Sequence, residues 1–154
     1  MVPVEFTLSE FEQQKKQNDA WHSPAFYTHH QGYRMCLKVY PNGSGDGLGT
    51  HVSIFTRIIQ GSFDGSLSWP FQGDVTIQVM NQAGENGHLE EVNDYTDQTP
   101  DVYTSMVIDK ERSDGWGFPQ FLSHSSLQCN AARNVQYLKR DSIRIQISKV
   151  DLKN

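Results

Sequence analysis

His29-His30 is the nearest approach to a metal-ligand cluster in the sequence. Adjacent side chains on an extended segment leave on opposite faces, and no third ligand follows, so no metal site is expected. Glu90, Glu91 and Asp94 offer carboxylates for acid and base work, but a short acidic stretch behind Gly84 and Gly87 reads as a solvated loop. The run Gly43-Ser44-Gly45-Asp46-Gly47-Leu48-Gly49 has enough glycine to wrap a phosphate. It opens no helix, however, and lacks the lysine and hydroxyl residue of a nucleotide loop, so a flexible hairpin is expected there. Six histidines and many serines would supply a nucleophile and base on paper, yet no serine stands in a nucleophile elbow. No catalytic residue and no cofactor is expected.

The chemistry that remains is recognition. Ser113-Asp114-Gly115-Trp116-Gly117-Phe118-Pro119-Gln120-Phe121 alternates glycine with large aromatics and then meets a proline that a central strand would not tolerate. That pattern predicts an edge strand. Glycine lets a second backbone approach, so an extended peptide could add to the edge while Trp116 and Phe118 shape pockets for its side chains. The alternative is that both rings belong to the core and the glycines mark a bulge.

Period two dominates the elements that must position such a site. Tyr33, Met35, Leu37 and Val39 alternate with Arg34, Cys36, Lys38 and Tyr40, and Val52, Ile54, Thr56 and Ile58 alternate with Ser53, Phe55, Arg57 and Ile59. Lys38, Tyr40 and Phe55 are thereby thrown onto the face opposite the apolar set. Val75 to Met80 and Ile143 to Ser148 repeat the pattern, with turn signals at Pro41-Asn42-Gly43, Gly61 to Gly65, Gly84 to Gly87 and Asp114-Gly115. Short strands at this spacing predict an all-β antiparallel sandwich. Ser9 and Glu12 predict a capping box for one short N-terminal helix, and Ser123 to Leu127 reads as a helical turn or a loop.

Thirteen Lys and Arg against 18 Asp and Glu give a formal net charge of −5, which argues against nucleic acid as a partner. No apolar run is long enough to span a bilayer, and the first ten residues lack the basic start and apolar stretch of a signal peptide, so no membrane insertion and an intracellular location are expected. Cys36 and Cys129 are far apart and read as two reduced core thiols.

Longer segments carry a family resemblance. Ser23-Pro24-Ala25-Phe26-Tyr27-Thr28, Gly32-Tyr33-Arg34-Met35-Cys36-Leu37-Lys38-Val39-Tyr40-Pro41-Asn42-Gly43 and Gly49-Thr50-His51-Val52-Ser53-Ile54-Phe55 resemble the MATH (TRAF-C) domain of tumour-necrosis-factor-receptor-associated factors. Leu67-Ser68-Trp69-Pro70-Phe71 and Tyr137-Leu138-Lys139-Arg140-Asp141-Ser142-Ile143 extend the likeness over nearly the whole chain, so one domain covering residues 1–154 is expected. The resemblance implies a sandwich of about eight strands and a cytoplasmic, noncatalytic adaptor that captures short extended motifs from receptor tails or signalling partners. It implies a homotrimer in the full-length protein, through a coiled coil that this sequence does not contain.

By the same resemblance, Lys38 falls where the family commonly has an arginine facing the peptide, Tyr40 matches its partner tyrosine and Phe55 a pocket aromatic, with Ser44 beside them. Gly115, Trp116, Gly117 and Phe118 resemble the edge strand of the subgroup that reads a proline, an acidic residue and then an aromatic, and one coherent face is expected for Lys38, Tyr40, Phe55, Trp116 and Phe118. Where many members have a run of serines, Asp101 to Val107 here offers only Thr104 and Ser105, and Phe6 stands in place of a first-strand tryptophan. MATH domains also accompany proteases and ubiquitin-handling modules, where they choose substrates. A sugar-binding sandwich is the remaining reading, disfavoured by the lack of a secretion signal.

Overall fold

Alternation of apolar and polar residues, bounded by glycine and proline, forms most of the chain into strands. A computed structural model describes residues 1–108 and 115–153. Nine strands occur among them: β1 (Val4–Leu8), β2 (Trp21–His22), β3 (Phe26–Tyr27), β4 (Arg34–Tyr40), β5 (His51–Ile59), β6 (Gly73–Val79), β7 (Leu89–Tyr95), β8 (Trp116–Ser123) and β9 (Ile143–Leu152). Two short helices accompany them, α1 (Phe11–Gln17) and α2 (Asp101–Thr104).

All pairings are antiparallel. One sheet has the order β1-β9-β6-β7 and the other β2-β4-β5-β8, with β3 also on β4. Met35, Leu37, Val39, Val52 and Ile54 from one sheet meet Val75, Ile77, Val79, Ile143, Ile145 and Ile147 from the other, all fully buried. This is the core of a β-sandwich. β7 and β8 are edge strands of different sheets and lie against one another on the same side of the molecule.

Several local expectations are corrected. The helix α1 has no capping box: Glu10, in the left-handed region at φ 54°, is the cap residue and makes no side-chain bond. Asp141 does that work from the far end of the sequence, its carbonyl accepting from Phe11 N at 2.9 Å and its Oδ1 from Glu12 N at 3.0 Å. Glu90, Glu91 and Asp94 are not loop residues but exposed residues of β7, paired along its length with β6. The thiols are both unpaired, but only Cys36 is in the interior; Cys129 is exposed. Residues 43–49 form a hairpin with a 3-10 turn at Gly45–Gly47 that is packed down, since a Cβ on Gly47 would fall 1.9 Å from the Pro119 carbonyl oxygen. His124–Ser126 is a single 3-10 turn. Ser113 and Asp114, the latter the first residue of the Asp114-Gly115 turn signal, lie outside the described residues.

Candidate functional site

The register of β4 on β5 sets Lys38 opposite Phe55 and Tyr40 opposite Ser53, which places Lys38, Tyr40 and Phe55 on one outer face while Val39 and Ile54 fill the core. The Tyr40 and Phe55 rings meet edge to face at 6.3 Å and 85°. Lys38 Nζ lies 5.6 Å from the Tyr40 ring centroid, inside the range of a cation–π contact. Around them is an open cleft of about 220 Å³ lined by Lys38, Tyr40, Ser44, Phe55, Tyr103 and Gly115.

Ser53 fixes one wall of this cleft. Its Oγ accepts from the backbone N of Ser44 at 2.9 Å and donates to the Pro119 carbonyl at 2.6 Å, tying the 43–49 hairpin to β8. The pairing of β5 and β8 shifts register between Val52 and Ile54, so the bulge opposite Ser53 takes up Pro119, which has no N–H to contribute to a ladder. Glycine fixes the other wall. A Cβ on Gly117 would lie 2.5 Å from the Ile54 carbonyl oxygen, and one on Gly115 2.9 Å from Phe55 Cβ. Only glycine at these two positions lets β8 lie this close to β5 and leaves the floor beside Phe55 open.

Trp116 and Phe118 do not share the face of Lys38, Tyr40 and Phe55. Phe55 is paired with Gly117, so the alternation puts Trp116 beside Thr56 and Phe118 beside Ile54, on the core side of the sheet. Both rings are half-buried and pack on the core. Trp116 reaches the cleft indirectly, its ring 5.1 Å from that of Tyr103. Phe118 stands edge-on to Phe121 at 5.7 Å and borders a separate cleft of about 270 Å³ with Asp46, Pro119 and Gln120.

Tyr103 was not singled out by the sequence. The short helix α2 carries it to the cleft from a segment without strand or helix periodicity, and the proline before Asp101 was its only local signal. Its neighbours do not line the cleft: Thr104 is buried, and Ser105 donates to the Asp101 carbonyl at 2.7 Å.

The outer face is locally positive although the chain is acidic. His22 is paired with Lys38 across β2 and β4, and its pKa is lowered by partial burial, then by repulsion from Arg57 and Lys38. Burial pushes the Cys36 thiol up, against the pull of Arg57, Arg34 and Lys38. Two of the acidic residues weighed for catalysis have other partners: Lys153 contacts the Asp94 carboxylate as well as, at 3.3 Å, that of Asp74, and Glu90 Oε1 accepts from Gln78 Nε2 at 2.9 Å. The Lys153 ammonium beside it holds Asp94 below the ordinary carboxylate range. His29 Nδ1 is 2.9 Å from Thr28 Oγ1, and among the described residues no three His, Cys, Asp or Glu side chains gather as metal ligands. No helix among them is long and apolar enough to cross a membrane.

A family model described as TRAF/meprin, MATH domain matches residues 18–146. The chain is 36% identical over 130 residues to TNF receptor-associated factor 5 of Mus musculus, covering 84% of the chain and 22% of that protein. It is also 36% identical over 127 residues to TNF receptor-associated factor 2 of Homo sapiens, covering 80% and 23%. The chain therefore spans about a fifth of the length of these curated relatives. A solved structure of Notothenia coriiceps TRAF5 superposes with a TM-score of 0.86 at 28% identity, covering 98% of this chain and 73% of that one.

Proposed function

The chain belongs to the TRAF/meprin MATH domain family, and on that premise we propose that it captures short extended peptide segments from receptor tails or signalling partners. As a MATH domain of TRAF type it is a noncatalytic adaptor module. The observation that carries the peptide reading is the cleft between a cation, three aromatic rings and a glycine edge, formed by Lys38, Tyr40, Phe55, Tyr103 and Gly115. Rings with polar tips and one charge, beside an edge strand able to accept a further strand, suit a motif with proline and an acidic or amide residue.

Peptide contact is assigned to Lys38, Tyr40, Ser44, Phe55, Gly115 and Gly117 on the cleft side of the edge, and to Trp116 and Phe118 on its other side, since an added strand has side chains on both faces. The domain is proposed to span residues 1–154. In support, β1 pairs with β9 outside the matched range, Val4 opposite Ile147. The full-length protein is proposed to act as a cytoplasmic homotrimer, as the family resemblance implies.

The test is fluorescence polarisation against labelled receptor-tail peptides, one set with an amide motif and one with a proline, an acidic residue and a terminal aromatic. Saturable binding to either set, lost in Tyr40→Ala with the fold retained, is the expected result. Failure of every peptide to bind, in trivalent form as well, would overturn peptide capture at this cleft.

A further inference from the structure

β7 and β8 belong to different sheets, yet four polar groups join them through the core. Asn93 on β7 donates from Nδ2 to Thr56 Oγ1 at 2.8 Å and to the Trp116 carbonyl at 2.7 Å. Tyr95 donates its only proton to the Thr56 carbonyl at 3.1 Å, so the Thr56 hydroxyl, 2.5 Å from Tyr95 Oη, is the donor in that second bond. Burial raises the Tyr95 pKa far above neutrality, and the phenol stays a donor at every physiological pH. Asn93, Thr56 and Tyr95 are all at most 2% exposed. The next residue of β7 adds a second grip: the Asp94 carbonyl accepts from Trp116 Nε1 at 3.1 Å.

Trp116 is therefore held by its main chain and by its ring, from two consecutive residues of the opposite sheet. The residues on either side of it are Gly115 and Gly117, which carry no side chain to pin them and have the widest conformational freedom of any residue type. Gly115 must nevertheless stay against Phe55, because it is a wall of the cleft. A polar network in a core built mainly of apolar side chains is costly to desolvate and stabilises less than apolar packing of the same shape would. Its position on the one residue between the two glycines gives it a different use.

We propose that Asn93 is a positioning residue for ligand binding: by gripping the Trp116 carbonyl it pre-organises the glycine edge of β8 before a peptide arrives. Both N–H groups of its amide are used on oxygens, one of them a carbonyl that can only accept, so the amide orientation is fixed and an aspartate cannot replace it while ionised. The inference rests on the peptide-capture reading and adds the element that holds the edge ready.

The experiment compares the native 154-residue chain with Asn93→Leu and Asn93→Asp, each checked for folding by circular dichroism. Labelled peptides carrying a proline, an acidic residue and an aromatic, and their amide counterparts, serve as probes. With two donors lost, Asn93→Leu is expected to bind about tenfold more weakly than the native chain. The backbone amide resonances of Gly115 and Gly117 are expected to shift in the unliganded protein. Asn93→Asp is expected to be weak near pH 7.5 and to recover towards pH 5, because a protonated carboxyl regains one donor and burial raises the pH at which it protonates. Expressing each value as a ratio to the native chain at the same pH removes the titration of His22 and of the peptide. A loss of stability alone would not reproduce that recovery in binding at temperatures where both forms are folded. If Asn93→Leu folds and binds within about twofold of native, the inference is overturned and peptide capture stands. Should Asn93→Leu fail to fold, Asn93→Asp decides: equal ratios at the two pH values overturn the inference. If the native chain binds none of the probes, peptide capture falls and this inference falls with it.

Discussion

Lys38 presents a single ammonium where a guanidinium would offer a rigid, two-pronged fork, so the hold proposed for it on a peptide carboxylate would depend on local field more than on geometry. That field is set by its neighbours. His22 and Lys38 are cross-strand partners, and the His22 pKa is lowered first by burial, then by Arg57 and then by Lys38. Replacing Arg57 by Gln should therefore raise the His22 pKa towards its ordinary value, and Lys38→Gln should do so by less. An NMR titration of the His22 imidazole reads both, and an unchanged pKa in the two variants would mean that burial alone is responsible. The linkage has a definite sign. A histidine with its folded pKa depressed leaves the folded state at full strength above its unfolded pKa of 6.5, and stability falls as the pH drops below that value, because the unfolded chain takes the proton first. Lys38→Glu reverses the charge over Tyr40 and should weaken peptides with an acidic residue while leaving amide-type peptides much less affected, which separates charge recognition from loss of the cleft.

On the proposed reading, β8 can serve as a binding edge because of what its glycines omit. Gly117→Ala places a methyl group 2.5 Å from a backbone oxygen of β5, where no flexible side chain can yield, so the strand must move outward. A cost of about 1–3 kcal/mol in urea unfolding is expected, together with weaker peptide binding; an alanine variant as stable as native would show that β8 has room to slide. The glycine-aromatic alternation made this element legible in the sequence as an edge strand, and the same parity brought Lys38, Tyr40 and Phe55 together. That Trp116 and Phe118 face the other way depended on which β8 residue sits opposite Phe55, and the register of Phe55 on Gly117, 62 residues on, is not encoded locally. β7 was hidden because Glu90, Glu91, Val92 and Asp94 are all exposed and its inward parity carries Glu91 and Asn93 where apolar residues would show a strand. The cap of α1 was equally out of reach: its donor-satisfying carboxylate comes from Asp141, 129 residues away from Glu12. Tyr103 lies on one turn of helix, too short for any periodicity to show.

Whole-molecule behaviour follows from how little of the apolar surface is left over. Among the described residues the large exposed apolar side chains are Met1, Leu48, Val92, Val102, Ile108 and Leu152, spread over the N-terminus, the 43–49 hairpin, β7, α2, the segment after α2 and the end of β9. Apolar side chains scattered in this way do not supply the roughly 800 Å² per partner that a stable interface buries. The chain of 17.5 kDa should therefore run as a monomer, or at most a weak trimer, in size-exclusion chromatography with light scattering at micromolar concentration. A trimer that persists on dilution would show that the sandwich itself drives self-association. The consequence for the proposed peptide capture is large, because an open cleft of about 220 Å³ would hold a peptide through few contacts. Fusing the chain to a trimeric coiled coil turns the second and third contacts with a clustered target into intramolecular events. Apparent affinity for a surface bearing trivalent peptide should rise by about a hundredfold or more over the monomer, with no change for a single soluble peptide. Surface plasmon resonance at high and low peptide density distinguishes the two cases. Equal affinities for monomer and trimer at high density would mean that the three edges cannot face one surface together, and that clustering of the target is not what makes a weak site effective.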